Sequence, residues 1–261
     1  MDRATLLDRA GAAGEERILL ARVLDKAEQA SRRDVPAATD FLAPHLLASA
    51  QELLRLAGIA ETAYRAAGGY DGAQRRILQF LPEWAADAEP PIRCLRATYR
   101  AGETLTHRDV LGSLMGLGVV REKLGDILVS DQSTDVLVLE SVAPYLLQNW
   151  TSSGRVSVKV AEVPLAHIHV PVQAFREIRT TLASLRLDAV CAAGMHVSRG
   201  RAAELIAAGR VFCNDRPCTR GDHTLCAKDT LSVRGFGKME LTEVGDLTRK
   251  GRVAVLIRKY E

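Results

Sequence analysis

The chain has 261 residues, 47% of them hydrophobic and 26% charged, an ordinary globular balance with room for two or three domains. It contains no apolar run of about 18 residues, which excludes a transmembrane helix, and its opening MDRATLLDRAGAAGEERILL carries acids where a secretory signal needs an apolar core. The net charge of +3 is unevenly spread: residues 180–261 hold 14 Lys and Arg against 9 Asp and Glu, a net of +5, so the rest of the chain is net −2 and an anionic partner is expected at the C-terminal end. Aromatics are only 5%, so the cores should be aliphatic, and five cysteines in a chain this long read as reduced and cytosolic.

Residues 1–33 have helical spacing, with Leu6, Leu7, Ile18, Leu19 and Val23 separated by charges. Asp40 is placed to cap a helix through FLAPHLLASAQELLRLAG that stops at Gly58. TAYRAAGGY reads as a strand ending in a Gly-Gly turn, DGAQRRILQF as a helix, and PEWAADAEPP as a loop between two units. IRCLRATYR then alternates like a strand. THRDVLGSLMGLG follows as a helix with Thr106 as cap and Asp109 in capping-box position. LGDILVS and DVLVLES are strands, VAPYLLQNWTSSG a helix, and RVSVKVAEV and EIRTTL strands. The pattern is β-α-β-β-α-β, an α+β layer with helices on one face, of the RRM or ferredoxin-like kind.

The last third opens with a short helix, SLRLDAVCAAG. SRGRAAELIAAG is a second helix, with Ser198 as cap and Gly209 as stop. RVFCNDRPC is a hairpin about Asn214 and Asp215, and two strands close the chain. The domains expected are therefore an N-terminal mixed helical unit (1–88), a central α+β unit (89–179) and a small C-terminal α+β module (180–261).

The helix at Ser198 poses a chemical question. A first turn favours acids, yet this one carries Arg199 and Arg201. A helix N-terminus offers free amides and a positive dipole end to phosphate, and arginines add bidentate donors there. The glycines Gly112, Gly116 and Gly118 are not followed by Gly-Lys-Ser/Thr, so a nucleotide-binding loop is not expected; they read as close-packing positions. His107, Arg108 and Asp109 are adjacent on a helix and point apart, so they cannot form a relay. Cys213, Cys218, His223 and Cys226 have zinc-knuckle ligand types without the spacing, and His167 and His169 read as a surface strand; no metal site is expected.

From Arg186 to Gly235 the chain resembles the S-four RNA-binding domain, named after a ribosomal protein of the small subunit. The resemblance rests on Arg186–Asp188, on Ser198-Arg199, on the Ala202–Gly209 stretch, on Val211–Asn214, and on the Asp-x-Leu-x-Val-Arg-Gly ending at Gly235. It departs from that pattern at Asp215 and at Lys228-Asp229, where the family usually has Gly after the turn Asn and Gly-Asp before the last strand. Together with GGYDGAQRRILQFLP, LTHRDVLGSLMGLGVVREKLGDILV and DLTRKGRVAVLIRKY, it is similar to the YlmH-like family of bacterial and plastid proteins, from about Phe41 to Tyr260.

The resemblance implies a non-catalytic, cytoplasmic RNA-binding protein without cofactor, metal, membrane or small-molecule substrate. Its partners would be rRNA or tRNA on the large ribosomal subunit, and its role the rescue of stalled nascent chains. Arg186, Ser198, Arg199 and Arg201 would face RNA. Arg210 and Arg216 would flank the hairpin, and Arg234 and Lys238 the turn RGFGK. Arg108, Arg121 and Lys123 form a candidate second basic patch. Two other readings remain: an RNA-modifying enzyme that uses the S-four module for targeting, and a protein-binding adaptor. A pseudouridine synthase would need a catalytic domain after the module, where only about 25 residues follow, and GGYDGAQRR is a poor methyltransferase cofactor loop.

Overall fold

A computed structural model describes residues 2–171 and 174–260 as two compact α+β units, residues 1–171 and residues 172–261. In the first unit α1 (Arg3–Arg9) and α2 (Gly14–Arg33) lead into β1 (Ala37–Ala38), α3 (Pro44–Leu56), β2 (Tyr64–Ala67) and β3 (Ile77–Phe80). The three strands form an antiparallel sheet in the order β1-β3-β2, and the helices pack on it through Leu20, Val23, Ala50, Leu53, Leu54, Leu78 and Phe80. Two expectations are corrected here. DGAQRRILQF is not a helix: its Ile77–Phe80 run is the central strand, buried at all four positions, and a short continuous apolar run cannot be assigned by periodicity. Asp40 does not cap α3, which starts at Pro44 behind Ala43; the fixed φ of proline suits a first helical position. The Asp40 carboxylate is instead held by Lys123 at 2.7 Å.

The central β-α-β-β-α-β order is present as β4 (Ile92–Thr98), α4 (His107–Gly116), β5 (Leu124–Val129), β6 (Ser133–Leu139), α5 (Ala143–Asn149), the short pair β7 (Ser152–Ser153) and β8 (Val156–Ser157), and β9 (Lys159–Val163). The sheet runs β5-β6-β4-β9, antiparallel throughout. Thr106 and Asp109 close the expected capping box on α4, each side chain bonding the other's backbone N–H. Gly112 and Gly116 do not serve close packing, because an added Cβ would meet nothing at either; Gly118 stops the helix with φ +83°.

Alternation along the strands buries this sheet on both faces. Leu95, Ala97, Val136 and Val138 face α4 and α5. Ile92, Cys94, Leu137 and Leu139 face the other way, onto Phe41 and Ile77 from the first 88 residues. The N-terminal and central parts therefore share a core and form one unit. Gly125 sits at that seam, where a Cβ would come within 2.8 Å of the Phe41 ring and of Leu137. Asp126 ties the seam with polar contacts, accepting from the Tyr70 hydroxyl at 2.8 Å and from the backbone N–H of Gln74 and Arg75 at 2.7 and 3.0 Å.

The second unit begins before residue 180, because β10 (Phe175–Leu182) pairs along its whole length with the C-terminal β15 (Val253–Tyr260). Between them lie α6 (Leu187–Met195), α7 (Arg199–Ala207), β11 (Val211–Cys213), β12 (Arg216–Pro217), β13 (Thr230–Val233) and β14 (Gly237–Leu247). The six strands run β10-β15-β14-β13-β11-β12, and α6 and α7 share one core with them, including Leu187, Val190, Leu205, Val211, Leu231 and Ile257. Both departures from the S-four pattern fall on left-handed backbone: Asp215 has φ 63° beside Asn214 at 48°, and Lys228 has φ 73°. Asn and Asp tolerate that region in a hairpin turn, whereas lysine holds it at a cost that glycine would avoid.

Gly125→Ala should lower the stability of the first unit by about 1–3 kcal/mol, the usual effect of overpacking a core. Followed by thermal unfolding, its N-terminal and central parts should melt together at the lower temperature. Two separated transitions within residues 1–171 would contradict the shared core.

Candidate nucleic-acid interface

The second unit places a carboxylate between two arginines. Asp188 stands in the first turn of α6 and is 8% exposed. Arg186 donates to it from Nε at 3.3 Å and Nη2 at 3.1 Å, and Arg199 donates from Nη2 to both oxygens at 2.9 and 3.0 Å. Burial works to raise the Asp188 pKa, but the hydrogen bonds from Arg186 and Arg199 outweigh it and hold the carboxyl below its ordinary 3.8. Both cations remain open to a ligand, with side chains 43% and 56% exposed. Two guanidinium groups on one carboxylate carry a net charge of +1 in a fixed orientation.

Local sequence explains the placement. α6 ends at His196, whose φ of 55° turns the chain, and Val197 closes the turn by donating to the Ala192 carbonyl at 3.0 Å. Ser198 then caps α7, its hydroxyl accepting from the Arg201 backbone N–H at 3.1 Å. Arg199, the first helical residue, is thus returned to the start of α6. The backbone N–H groups of Leu187 and Asp188 are held by the carbonyls of His223 and Gly221 at 2.8 and 3.1 Å, which fixes the base of the site.

The remaining expected residues divide into groups. Arg201 pairs with Glu204 one turn on, at 2.7 Å. Arg210 and Arg234 strap each other through backbone carbonyls, and the Arg234 guanidinium lies 5.3 Å from the centre of the Phe212 ring. Arg216 is exposed on β12, and Lys238 lies opposite Ser232 in the β13–β14 ladder. The glycines of RGFGK serve the turn itself, with φ 89° at Gly235 and 93° at Gly237. The sequence pattern does not reveal Asp188 as the partner of both arginines or Phe212 as the ring beneath Arg234. Asp188 is hidden inside the Arg-Leu-Asp opening, and Phe212 has the pattern of any other apolar strand residue.

In the first unit Arg108, Arg121 and Lys123 do not stand out as one free patch. Arg108 is exposed on α4, Arg121 is folded onto the carbonyls of Leu124 and Gly125 at 2.6 and 3.1 Å, and Lys123 is held by Asp40. The central sheet has no open face on which bases could stack, as an RRM would require, because residues from the N-terminal part cover it. Of the cysteines in the zinc-knuckle-like run, Cys213 is buried, Cys218 is half-buried and Cys226 is exposed. Among the described residues no group of three His, Cys, Asp or Glu is placed to hold a metal ion. His167 lies in a short helical turn, not on a strand.

The fold and the basic site define an RNA-binding protein with a C-terminal S4-type domain. Residues 185–231 match the S4 domain, residues 99–167 the domain described as "Putative RNA-binding domain in YlmH", and residues 15–82 the YlmH N-terminal domain. A curated relative, ribosome-associated protein quality control protein P2 of Bacillus subtilis, is 30% identical over 226 residues, spanning 85% of this chain and 87% of that protein. The chain belongs to the YlmH family. The similarity begins by residue 15, well before Phe41 where the motifs first suggested it. A solved structure described as cell division protein ylmH from Streptococcus pneumoniae aligns with a TM-score of 0.49 and 18% identity, over 59% of this chain and 94% of that one. Among the described residues no helix is long and apolar enough to cross a membrane.

The depressed Asp188 pKa fixes a sign. Its ion pairs stabilise the fold at pH above 3.8, and that stability is lost as pH falls through the folded-state value. Asp188→Asn should melt below wild type at neutral pH, and the gap should narrow as pH falls below about 4. A gap that stays constant from pH 7 to pH 3 would show that Asp188 does not work as a paired carboxylate.

Proposed function

We propose that this protein is a non-catalytic, cytoplasmic RNA-binding factor that acts on rRNA or tRNA at the large ribosomal subunit, in the rescue of stalled nascent chains. The observation that carries the reading is the Arg186–Asp188–Arg199 cluster beside the capped start of α7. Two partly exposed guanidinium groups, pre-oriented by one carboxylate, match the oxygens of a backbone phosphate. Contacts of this kind set affinity and register more than sequence. Arg210, Arg216, Arg234 and Lys238 extend the surface toward the hairpin, and Phe212 under Arg234 gives it one aromatic element. The ribosomal role is supported by the name of the Bacillus relative, which is ribosome-associated and acts in protein quality control. The non-catalytic reading is supported by the two acids nearest Arg199 and Arg108. Asp188 is occupied by two arginines and Asp109 by its capping box, which leaves neither poised for acid–base chemistry.

Arg199→Ala should weaken binding to ribosomal RNA by about 1.5–3 kcal/mol if the contact is desolvated, and should reduce the salt dependence by about one phosphate. Arg199→Lys should recover part of the loss, since lysine lacks the planar fork. The melting temperature should fall only modestly, because Asp188 keeps Arg186. Filter binding over a salt series, with Arg55→Ala as an exposed control, measures this, and co-sedimentation with separated ribosomal subunits identifies the target. Binding by Arg199→Ala that equals the control at every salt concentration would move the phosphate site elsewhere. Pelleting with neither subunit would contradict the ribosomal role.

A further inference from the structure

The first unit contains a cavity of about 430 Å³, within the size range of ligand pockets. α2 forms one wall, and the segments carrying Asp40–Leu42, Arg75 and Arg121–Lys123 form the other. α2 contributes Arg22 and Lys26, four residues apart and so on one face of the helix. Across from them Arg75 and Arg121 lie side by side, both donating to the Leu124 carbonyl, at 2.9 and 2.6 Å. Arg75 also donates to the Phe41 carbonyl at 3.0 Å.

The carboxylates nearby are mostly engaged. Asp40 holds Lys123 at 2.7 Å and Asp25 holds Arg3 at 2.6 Å. Asp126 accepts from Tyr70 and from two backbone N–H groups. Among the described residues neither Arg75 nor Arg121 forms an ion pair, and Glu122 is the one carboxylate on the wall without such a partner. On the cavity wall four cations therefore face one acid, and the Asp126 carboxylate behind it offsets Arg75 and Arg121 only in part. Burial, and next the charge of Arg121, push Arg75 down to about 10, and burial likewise lowers Arg121. Two adjacent, partly desolvated guanidinium groups are an unfavourable arrangement that a bound anion would relieve. A phosphate monoester, with up to two charges and several acceptor oxygens, suits several arginine donors better than a carboxylate does. Leu19, Val23 and Leu46 complete the cavity with apolar surface for the body that carries the phosphate.

We propose that this cavity is a binding site for a phosphate monoester carried on a nucleoside, either a free mononucleotide or the phosphorylated end of an RNA. It lies within the first unit and uses no residue of the basic cluster on α6 and α7. Arg22 and Lys26 supply charge from the exposed wall, and Arg75 and Arg121 form the floor.

The test uses the full chain and thermal shift. The probes are adenosine 5′-monophosphate, adenosine, inorganic phosphate, and a short oligoribonucleotide with and without a 5′-phosphate. Arg22→Glu/Lys26→Glu is the binding variant, because both side chains lie on the helix surface, and its unliganded melting temperature checks the fold. Saturable stabilisation by the mononucleotide but not by adenosine, weakened at least about tenfold in the double variant, is the expected result. A response confined to the 5′-phosphorylated oligonucleotide also upholds the site and identifies an RNA end as its ligand. Each arm is repeated in Arg199→Ala, where the response should persist, so that failure here and failure of the RNA reading are distinguishable. No shift at millimolar ligand, a shift fully reproduced by inorganic phosphate, or one that survives the double substitution would overturn the proposal.

Discussion

The surface of the second unit depends on one nearly buried carboxylate. Asp188 must be charged to hold Arg186 and Arg199, and must be held by them to remain charged where it lies. A partly buried charge without a partner is costly, so the pairing ties the start of α6 to the start of α7 and fixes the angle at which both arginines meet solvent. The Ser198 cap and the left-handed His196 are the backbone devices that bring Arg199 within reach. An arginine in a first helical turn is unfavourable for the helix alone, and the nearby acid on another helix removes that conflict for Arg199 without covering its solvent-facing side.

The first unit follows a different logic. Its central sheet is apolar on both faces, so it needs a cover on the side opposite α4 and α5, and Phe41 and Ile77 provide it. An open sheet could have stacked bases; this one is used for folding. The same docking leaves Arg75 and Arg121 at the seam, bonded to backbone carbonyls instead of carboxylates, and so leaves positive charge lining a cavity.

Much of the architecture was legible in the sequence because local signals agreed with tertiary need. The capping box at Thr106, the Ser198 cap, the Gly209 stop and the strands at β4 and β6 all read correctly. The misreadings share one cause. Ile77–Phe80 is covered on both faces, Leu78 and Phe80 by the N-terminal helices and Ile77 by the central sheet, and so loses the alternation that marks a strand. Asp40 has the position of a cap but serves a lysine 83 residues away. PEWAADAEPP separates the N-terminal and central parts along the chain, and the core they share is a long-range contact that no local signal carries. For the site, residue types were legible and pairings were not. Arg199 reads as a cation at a helix start, and nothing in its neighbours reveals that Asp188, eleven positions earlier, sets its direction.

The central claim is that Asp188 orients its arginines for RNA, and a double-mutant cycle between Asp188→Asn and Arg199→Ala tests it most directly. Charge alone predicts that Asp188→Asn, which adds one positive charge, binds RNA more tightly. Orientation predicts that it binds more weakly, and that most of the loss disappears when Arg199 is already alanine, a coupling of at least about 0.5 kcal/mol. Tighter binding by Asp188→Asn, or strictly additive losses, would contradict the account.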